Sequence, residues 1–205
     1  MEQKKVASRK RTAPRGNGPK WERILDASIV EIAQSGYYKT TISTIARRAG
    51  VADGTIYLYF RNKTEILVSI FDRAMARFIE AGRQELARVS GAEAQLRRIV
   101  ELHLELVGEN RDLAVIFQVE LRHSLHFMAQ FSRSRIREYL EIIAGVISHG
   151  QGAGAFRANL DPLLAAKAVF GILDEMATDW ILSHRNTRLA AKSDEVADLV
   201  LGGLR

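Results

Sequence analysis

The chain has 205 residues, of which 47% are hydrophobic and 26% are charged. This composition supplies enough apolar surface for a sizeable core and excludes a wholly disordered chain. The absence of cysteine excludes a disulfide framework and a thiolate metal site, which fits a cytoplasmic protein. No apolar run reaches the length of a membrane span, and residues 1–20 lack the apolar core of a signal peptide, so we expect no membrane contact.

The formal net charge of +6 is concentrated at the N-terminus, where residues 1–20 contain seven Lys or Arg and one Glu. Such a basic segment favours a polyanionic partner, because each phosphate that Lys or Arg neutralises releases condensed counterions. The alternative is a solvated segment that only aids solubility. In either case we expect residues 1–19 to form a basic disordered tail.

Almost all of the remaining chain is predicted to be helical, since the only prolines stand at positions 14, 19 and 162 and no segment shows sustained two-residue alternation. Gly36 and Gly50 are expected to end the first two helices, and Thr41 is placed to cap the second. Asp161 followed by Pro162 indicates a helix start, because Asp caps and Pro has the backbone angle of the first helical position. The predicted helices lie at about 21–35, 42–49, 53–60, 63–89, 92–107, 113–121, 128–148, 162–184 and 193–201.

The stretch from residue 41 to residue 63, TISTIARRAGVADGTIYLYFRNK, has the pattern of two short helices that meet at a tight turn. Such a pair needs a small residue where the helices approach, a glycine where the chain reverses, and an apolar residue on the second helix that reaches the first. Ala46, Gly50 and Ile56 supply these in order. Ile45 and Val51 fill the contact between the helices. The pattern predicts a helix-turn-helix.

The same stretch resembles the motif of the TetR family of bacterial transcriptional repressors. It departs from that motif at Ala52, where the family commonly has a Ser that caps the recognition helix, so we expect Asp53 to provide the cap. It also has Tyr59 where His is frequent. The positions that stand in register are Thr41, Ile45, Ala46, Ala49, Gly50, Val51, Gly54, Thr55, Ile56, Tyr57, Tyr59, Phe60, Asn62 and Lys63.

This resemblance implies that residues 20–63 form a three-helix DNA-binding domain. Gly54 would let the recognition helix sit deep in the major groove, and Thr55 could offer its hydroxyl or methyl group to a base edge. Lys63 and the start of the second helix would each grip a phosphate. Tyr57 could instead be a core residue, and the arginines at 47 and 48 are expected to be solvated. The expected DNA-binding residues are Thr41, Ser43, Gly54, Thr55, Tyr57, Tyr59 and Lys63.

Residues 64–205 are expected to form a larger helical domain for ligand binding and dimerisation, which makes the whole fold all-α. The segment 163–173, LLAAKAVFGIL, has Lys167 as its single charge, so this helix must be covered on both sides. The resemblance implies a dimer interface built from the last two helices of each subunit, and the alternative is a buried helix in a monomer. The expected interface residues are Leu164, Ala168, Gly171, Val196, Leu199 and Val200.

Apolar and aromatic residues between Leu96 and Ile147 are interrupted by a few polar ones, which is typical of an apolar cavity with an arginine-lined mouth. Such a cavity suits an amphiphile with an anionic head. The alternative is ordinary core with a solvated arginine face. The candidate ligand-binding residues are His103, Phe117, Leu121, Arg122, Phe131, Arg133, Arg135, Tyr139, Leu140 and Ile143.

Part of this motif, VADGTIYLYF, and two stretches outside it are similar to the FadR-type branch of the TetR family. The two stretches are the Leu-Ala-Val segment that leads to Glu120-Leu121-Arg122, and FGILDEMATDW at 170–180. That resemblance implies a dimeric repressor of fatty-acid degradation genes, with no cofactor, that binds double-stranded operator DNA and is released by a hydrophobic or amphiphilic effector, long-chain acyl-coenzyme A. The alternatives are a repressor that responds to another hydrophobic compound, as in control of efflux, and a DNA-binding adaptor without an effector.

Enzymatic function is not expected. The Glu-x-x-His pattern that begins at Glu120 and ends at His123 can hold a di-iron pair only when a second copy and further glutamates are present, and the chain has one copy. There is no glycine-rich phosphate loop and no nucleophile elbow. We therefore expect neither a catalytic site nor a metal site.

Overall fold

The computed structural model describes residues 18–123, 135–183 and 187–205. Within these ranges the chain forms helices and no strand, which confirms the predicted all-α class. Short 3-10 turns lie at Glu120–His123 and Leu189–Lys192. The α-helices are α1 Pro19–Ser35, α2 Ile42–Ala49, α3 Asp53–Tyr59, α4 Lys63–Leu86, α5 Ala92–Glu109, α6 Arg111–Gln118, α7 Arg137–Gly152, α8 Pro162–Leu182 and α9 Ser193–Leu204.

Helices α1, α2 and α3 form a three-helix unit in which α2 and α3 make the predicted turn. Gly50 ends α2 with φ of 64°, a left-handed conformation that glycine adopts without strain. At the other end of α2, the Thr41 hydroxyl accepts a hydrogen bond from the Thr44 backbone N–H at 3.1 Å, as predicted for a cap. The unit is held by apolar side chains that are fully or almost fully buried, namely Ile24, Leu25, Ile32, Ile45, Ile56 and Phe60.

The expectation that Asp53 caps the recognition helix is wrong. Ala52 occupies the capping position, and no side chain caps the helix there. Asp53 is already the first helical residue, and its carboxylate accepts a hydrogen bond from the Ser43 hydroxyl on α2. Asp53 therefore fastens α3 to α2.

Helix α4 connects this unit to the rest of the protein and contacts α1 and α5. Its N-terminus is capped by Asn62, whose side-chain oxygen accepts the Glu65 backbone N–H at 2.8 Å. It ends at Leu86, earlier than the predicted Val89. The reason is tertiary: the Gln95 side chain on α5 donates to the backbone carbonyls of both Leu86 and Val89, at 3.3 and 3.0 Å, and holds them in a turn.

Helix α5 is central to the C-terminal part and contacts α4, α6, α7, α8 and α9. Asp161 caps α8 by accepting the Leu164 backbone N–H at 2.7 Å, as predicted. The predicted helix at 128–148 lies partly outside the described residues, and its described part, α7, extends to Gly152. Helix α6 begins earlier than predicted because Asn110 caps it, accepting the Leu113 N–H at 2.9 Å. It also ends earlier, at Gln118, and the 3-10 turn Glu120–His123 follows it. In the described part of the chain, no helix combines the length and the apolar character needed to cross a membrane.

Candidate functional site

The recognition helix α3 presents an open face beside a buried one. Ile56 is completely buried against α1 and α2, whereas Tyr57 and Leu58 are exposed large side chains. A Cβ atom built on Gly54 would meet no atom within 4 Å, so packing of the free chain does not require glycine there. Thr55 is half-buried beside it. The outer face of α3 is therefore exposed and takes no part in the protein's own core.

The segment before α2 adds exposed groups to the same side. Thr41 and Ser43 are exposed at the start of α2, although each already makes a hydrogen bond within the three-helix unit. Tyr38 and Lys39 are also exposed, and they were missed by the sequence reasoning. An aromatic and a basic residue immediately before a helix cap were the signal that could have found them.

Tyr59 lies half-buried at the end of α3, beside the N-terminus of α1. It lines an open cleft together with Gly18, Pro19, Lys20 and Arg23. Both basic side chains of this cleft are exposed, so they add positive charge next to the recognition helix. Residues 1–17 of the predicted basic tail lie outside the described residues.

Lys63 does not present its charge to the surface in the way that the sequence suggested. Its Nζ donates to the backbone carbonyls of Tyr37 at 2.6 Å and Thr40 at 2.8 Å, with a longer contact of 3.4 Å to the Tyr38 carbonyl. Nζ also lies 4.4 Å from the centre of the Tyr37 ring. Burial lowers the pKa of Lys63. In the free protein Lys63 therefore ties the segment before α2 to the start of α4, and its phosphate contact on the operator stays a prediction.

Tyr37 also links the three-helix unit to the C-terminal domain. Its backbone N–H donates to the Glu120 carboxylate at 2.9 Å, and its hydroxyl lies 3.1 Å from the Thr64 hydroxyl. Glu120 is buried in the 3-10 turn that follows α6. The sequence marked this turn as similar to the FadR-type branch but did not predict the contact. Within residues 18–123, 135–183 and 187–205, no three His, Cys, Asp or Glu side chains are grouped as metal ligands would be.

An inner cavity of about 140 Å³ lies immediately behind this turn, among α4, α5, α6, α7 and α8. Its wall is rich in aromatic side chains and contains few polar ones. The structure thus brings together four of the candidate ligand-binding residues, His103, Phe117, Leu121 and Tyr139. The full lining consists of Phe71, Met75, Phe78, His103, Val107, Ala114, Phe117, Gln118, Leu121, Ile136, Tyr139, Phe170 and Asp174.

Two polar side chains in the wall of this cavity, His103 and Tyr139, form an uncharged pair. His103 Nδ1 lies 3.0 Å from the Tyr139 hydroxyl, and the Phe78 ring packs edge-on against both rings at 5.2 and 5.1 Å between centroids. Burial lowers the pKa of His103 to about 4, and it raises the pKa of Tyr139. At neutral pH the cavity therefore offers a largely apolar surface with this neutral pair. The Asp174 carboxylate, which accepts a hydrogen bond from Gln118 at 3.1 Å, also lines it.

An outer cavity of about 400 Å³ adjoins the inner one and lies among α1, α4, α5 and α6. The two cavities share the side chains Met75, Phe78, Val107, Ala114 and Phe117. The outer cavity additionally has charged residues in its lining, including Arg73 and Arg77 on α4. A largely apolar inner cavity thus lies directly beside an outer cavity with arginines in its wall.

Several candidate ligand-binding residues do not line these two cavities. Ile143 is completely buried in the core, and Leu140 packs half-buried against it. The guanidinium of Arg135, which precedes α7, pairs at 3.1 Å with Glu138 in the first turn of that helix. The side chains of Arg122, Phe131 and Arg133 lie outside the described residues. The sequence reasoning did not single out Arg73 and Arg77, because spacing cannot tell which face of α4 the interior covers. The roles of Arg122 and Arg133 stay predictions.

Some of the residues predicted for the dimer interface are exposed on the surface of the chain, and others are buried. Leu164 on α8 and Leu199 on α9 are 65% and 66% exposed. Ala168 and Gly171, one and two turns after Leu164 on α8, are also exposed. Val196 and Val200 are only 6% and 4% exposed. These two valines are therefore removed from the predicted interface. The physical reason is that α9 packs its valine face against α5 of its own chain and turns the Leu199 face outward.

Comparison with known proteins agrees with this architecture. Residues 24–70 match the family described as "Bacterial regulatory proteins, tetR family", and residues 71–203 match "YsiA-like protein, C-terminal region". The fatty acid metabolism regulator protein of Bacillus subtilis strain 168 is 37% identical over 186 residues, which are 91% of this chain and 96% of that protein.

Two solved structures are similar over almost the whole chain. The fatty acid degradation regulator FadR from Bacillus halodurans has a TM-score of 0.88 at 37% identity, covering 93% of this chain and 98% of that chain. The regulator FadR from Bacillus subtilis in complex with stearoyl-CoA has a TM-score of 0.85 at 35% identity, covering 90% and 100%. These proteins are regulators and not enzymes, and the resemblance inferred from the sequence is confirmed: the chain is a transcriptional regulator that belongs to the tetR family of bacterial regulatory proteins.

Proposed function

We propose that the chain is a dimeric repressor that leaves its operator when long-chain acyl-coenzyme A enters the C-terminal cavities. Residues 20–63 are assigned to DNA binding, and residues 64–205 to effector binding and dimerisation. The observation that carries the proposal is the adjacency of Glu120 and Leu121: one contacts Tyr37 in the three-helix unit and the other lines the inner cavity. A ligand that displaces Leu121 acts on the DNA-binding domain through the neighbouring residue.

DNA binding is assigned to the exposed face of α3 and to the segment before α2. Tyr57 and Thr55 are the candidates for base contacts, and Lys39, Thr41 and Ser43 are candidates for phosphate contacts. Two subunits would place their recognition helices in successive major grooves, about 34 to 36 Å apart. The compartment is then the cytoplasm, because that is where a bacterial operator lies.

The effector class follows from the two adjoining cavities. The inner one has an aromatic wall with a neutral His103–Tyr139 pair, which suits an acyl chain. Burial of the chain contributes about 0.8 kcal/mol per methylene. The outer one has arginines in its wall, which suit an anionic head. The relative whose structure was solved in complex with stearoyl-CoA supports this class of effector. The relatives named above as regulators of fatty acid metabolism and degradation support the proposal that this chain controls fatty-acid degradation genes.

Dimerisation is assigned to α8 and α9. Their exposed side includes Leu164, Leu182 and Leu199, with Ala168 and Gly171 allowing close approach of a second helix. An isolated subunit would leave these large apolar side chains in water. A two-fold dimer covers them and matches the symmetry of an operator with two half-sites.

The test is an operator-binding titration with free coenzyme A, octanoyl-, lauroyl- and oleoyl-coenzyme A, and free fatty acids. We expect release at lower concentration as the acyl chain lengthens, until the cavities are full. Release by other hydrophobic compounds but not by the thioesters would favour control of another process such as efflux. Operator binding that no compound affects would favour an adaptor without an effector.

A further inference from the structure

The wall of the outer cavity contains an ion cluster that joins α1 to α4. Arg73 on α4 donates to the Glu22 carboxylate at 2.5 Å and pairs with Asp26 at 2.8 Å, both on α1. Arg77, one turn further along α4, reaches the same Glu22 oxygen at 3.3 Å. These ion pairs connect the first helix of the DNA-binding domain to the helix that lines both cavities.

Three members of the cluster lie in the cavity wall, and its carboxylates are more exposed to solvent than Arg73. Arg73, Arg77 and Asp26 all line the outer cavity. The Arg73 side chain is 9% exposed, whereas the side chain of Asp26 is 68% exposed. A guanidinium that is largely removed from water needs an anionic partner, but an exposed carboxylate can leave and be hydrated at little cost. Arg73 and Arg77 can therefore exchange carboxylates for another anion that arrives through the cavity.

We propose that Arg73 and Arg77 bind the phosphate groups of the effector's head and that this binding displaces Glu22 and Asp26. Guanidinium groups form paired hydrogen bonds with phosphate as readily as with carboxylate. With the acyl chain in the inner cavity, the thioester would lie near the side chains that both cavities share. The head would then lie in the outer cavity, where Arg73 and Arg77 are. The proposal rests on the function proposed above and names the part of the site that holds the head.

The exchange couples the two binding events. With the operator bound, α1 is held against α4 by Glu22 and Asp26. With the effector bound, the same arginines hold phosphate, and α1 loses these ion pairs. Because the arginines cannot satisfy both sets of anions fully, each ligand disfavours the other, as a reciprocal coupling requires. The carboxylate of Glu109 on α5 also lines the outer cavity and would repel the phosphates of the effector's head. This repulsion favours binding of the head on the α4 side of the cavity.

The test compares oleoyl-coenzyme A with oleoyl-pantetheine in binding and operator-release titrations. Oleoyl-pantetheine has the same acyl thioester but neither the phosphates nor the adenosine, and the arginine variants below separate the contribution of the phosphates. We expect the wild type to bind oleoyl-coenzyme A about tenfold or more tightly than oleoyl-pantetheine, because hydrogen bonds between charged groups are strong. Arg77→Gln should remove most of this preference and leave the affinity for oleoyl-pantetheine unchanged. The matched control is Arg83→Gln on the same helix, since Arg83 also pairs with a glutamate, Glu138, at 2.8 Å but lines neither cavity.

A substitution on the carboxylate side of the cluster should change effector binding in the opposite direction to Arg77→Gln. Glu22→Gln removes a competitor for the arginines, so it should strengthen oleoyl-coenzyme A binding and weaken operator binding. Equal affinity for the two oleoyl compounds, equal behaviour of Arg77→Gln and Arg83→Gln, or weaker effector binding by Glu22→Gln would each overturn the head site while the acyl-responsive repressor stands. If neither oleoyl compound released the operator, the proposed function itself would fail and this inference with it. Circular dichroism of each variant checks that it is folded.

Discussion

The backbone N–H of Tyr37 donates a 2.9 Å hydrogen bond to the carboxylate of Glu120, 83 residues further along the chain. This bond joins the segment before α2 to the turn behind the inner cavity. The carbonyl of the same Tyr37 accepts from Lys63 Nζ. One residue of the DNA-binding domain is therefore held simultaneously by the cavity turn and by the first residue of α4.

Replacing Glu120 should uncouple the two domains. Glu120→Ala leaves the buried Tyr37 N–H without its acceptor, at a cost of about 1–3 kcal/mol, so we expect weaker operator binding. The ratio of operator dissociation constants with and without effector should also move toward one. Glu120→Gln keeps an oxygen acceptor and should retain most of both properties. The control is Glu141→Ala on α7, where the carboxylate pairs only locally with Arg137. A normal ratio in Glu120→Ala would contradict this role.

Lys63 and Lys39 should differ in their effect on salt dependence. Lys63→Ala removes the donor to two loop carbonyls, so we expect the free energy of unfolding to fall by about 1–2 kcal/mol. Because we expect Lys63 to keep its hydrogen bonds to these carbonyls on the operator, the slope of log affinity against log salt should be unchanged. Lys39→Ala should leave stability unchanged and make the slope shallower by about one for each phosphate that the lysine no longer neutralises. Fluorescence anisotropy over a salt series measures the slopes, and urea unfolding measures the stabilities. A shallower slope for Lys63→Ala and an unchanged slope for Lys39→Ala would assign the phosphate contact to Lys63.

Gly54→Ala should separate folding from DNA binding. The added methyl group meets no atom of the free protein, and alanine favours helix over glycine, so the free energy of unfolding should be unchanged or rise by up to about 1 kcal/mol. Operator affinity should fall because the methyl group would lie against the bases. Gly82→Ala on α4 is the control, since its Cβ also meets nothing within 4 Å and it lies away from α3. Tight operator binding by Gly54→Ala would show that the groove tolerates a larger residue.

The dimer surface can be tested by contrasting exposed and buried residues of α8 and α9. Leu164→Glu and Leu199→Glu should yield folded monomers that bind a full operator weakly, because each places a charge in an apolar interface. Val196→Ala should remain dimeric and lose about 1–3 kcal/mol of unfolding free energy from its own core. Sedimentation analysis and urea unfolding distinguish the two classes. Intact dimers in both leucine variants would place the interface elsewhere.

His103 should make stability depend on pH. Its pKa is about 4 in the folded protein and about 6.5 when unfolded, so below pH 6.5 the unfolded chain binds a proton that the folded chain does not. The stability that the neutral ring contributes is complete above pH 6.5 and is lost as the pH falls toward 4. Between pH 7 and pH 5 this amounts to about 2 kcal/mol. Urea unfolding at pH 7 and pH 5 should show a smaller fall in the free energy of unfolding for His103→Gln than for the wild type. Equal falls in the two proteins would contradict the lowered pKa of His103.

The helix-turn-helix was predictable almost residue by residue. Its order of Ala46, Gly50 and Ile56 is set by local geometry, and the cap at Thr41 depends on residues only three apart. The capping error at Asp53 arose because Ala52 leaves the helix start without a side-chain acceptor, and the nearest polar group was assumed to replace it. Its actual partner, Ser43, lies on another helix.

The amino-acid sequence alone determined the all-helical class, the position of the DNA-binding motif and the apolar character of the C-terminal domain, because these depend on periodicity, caps and composition within a few residues. Tertiary structure alone decided that Lys63 faces loop carbonyls, that Val196 faces the core, and that Arg73 lies in the cavity wall between two carboxylates of α1. Each of these depends on which face of a helix meets a helix distant in the chain. Helical spacing defines the faces but not the neighbour that covers them.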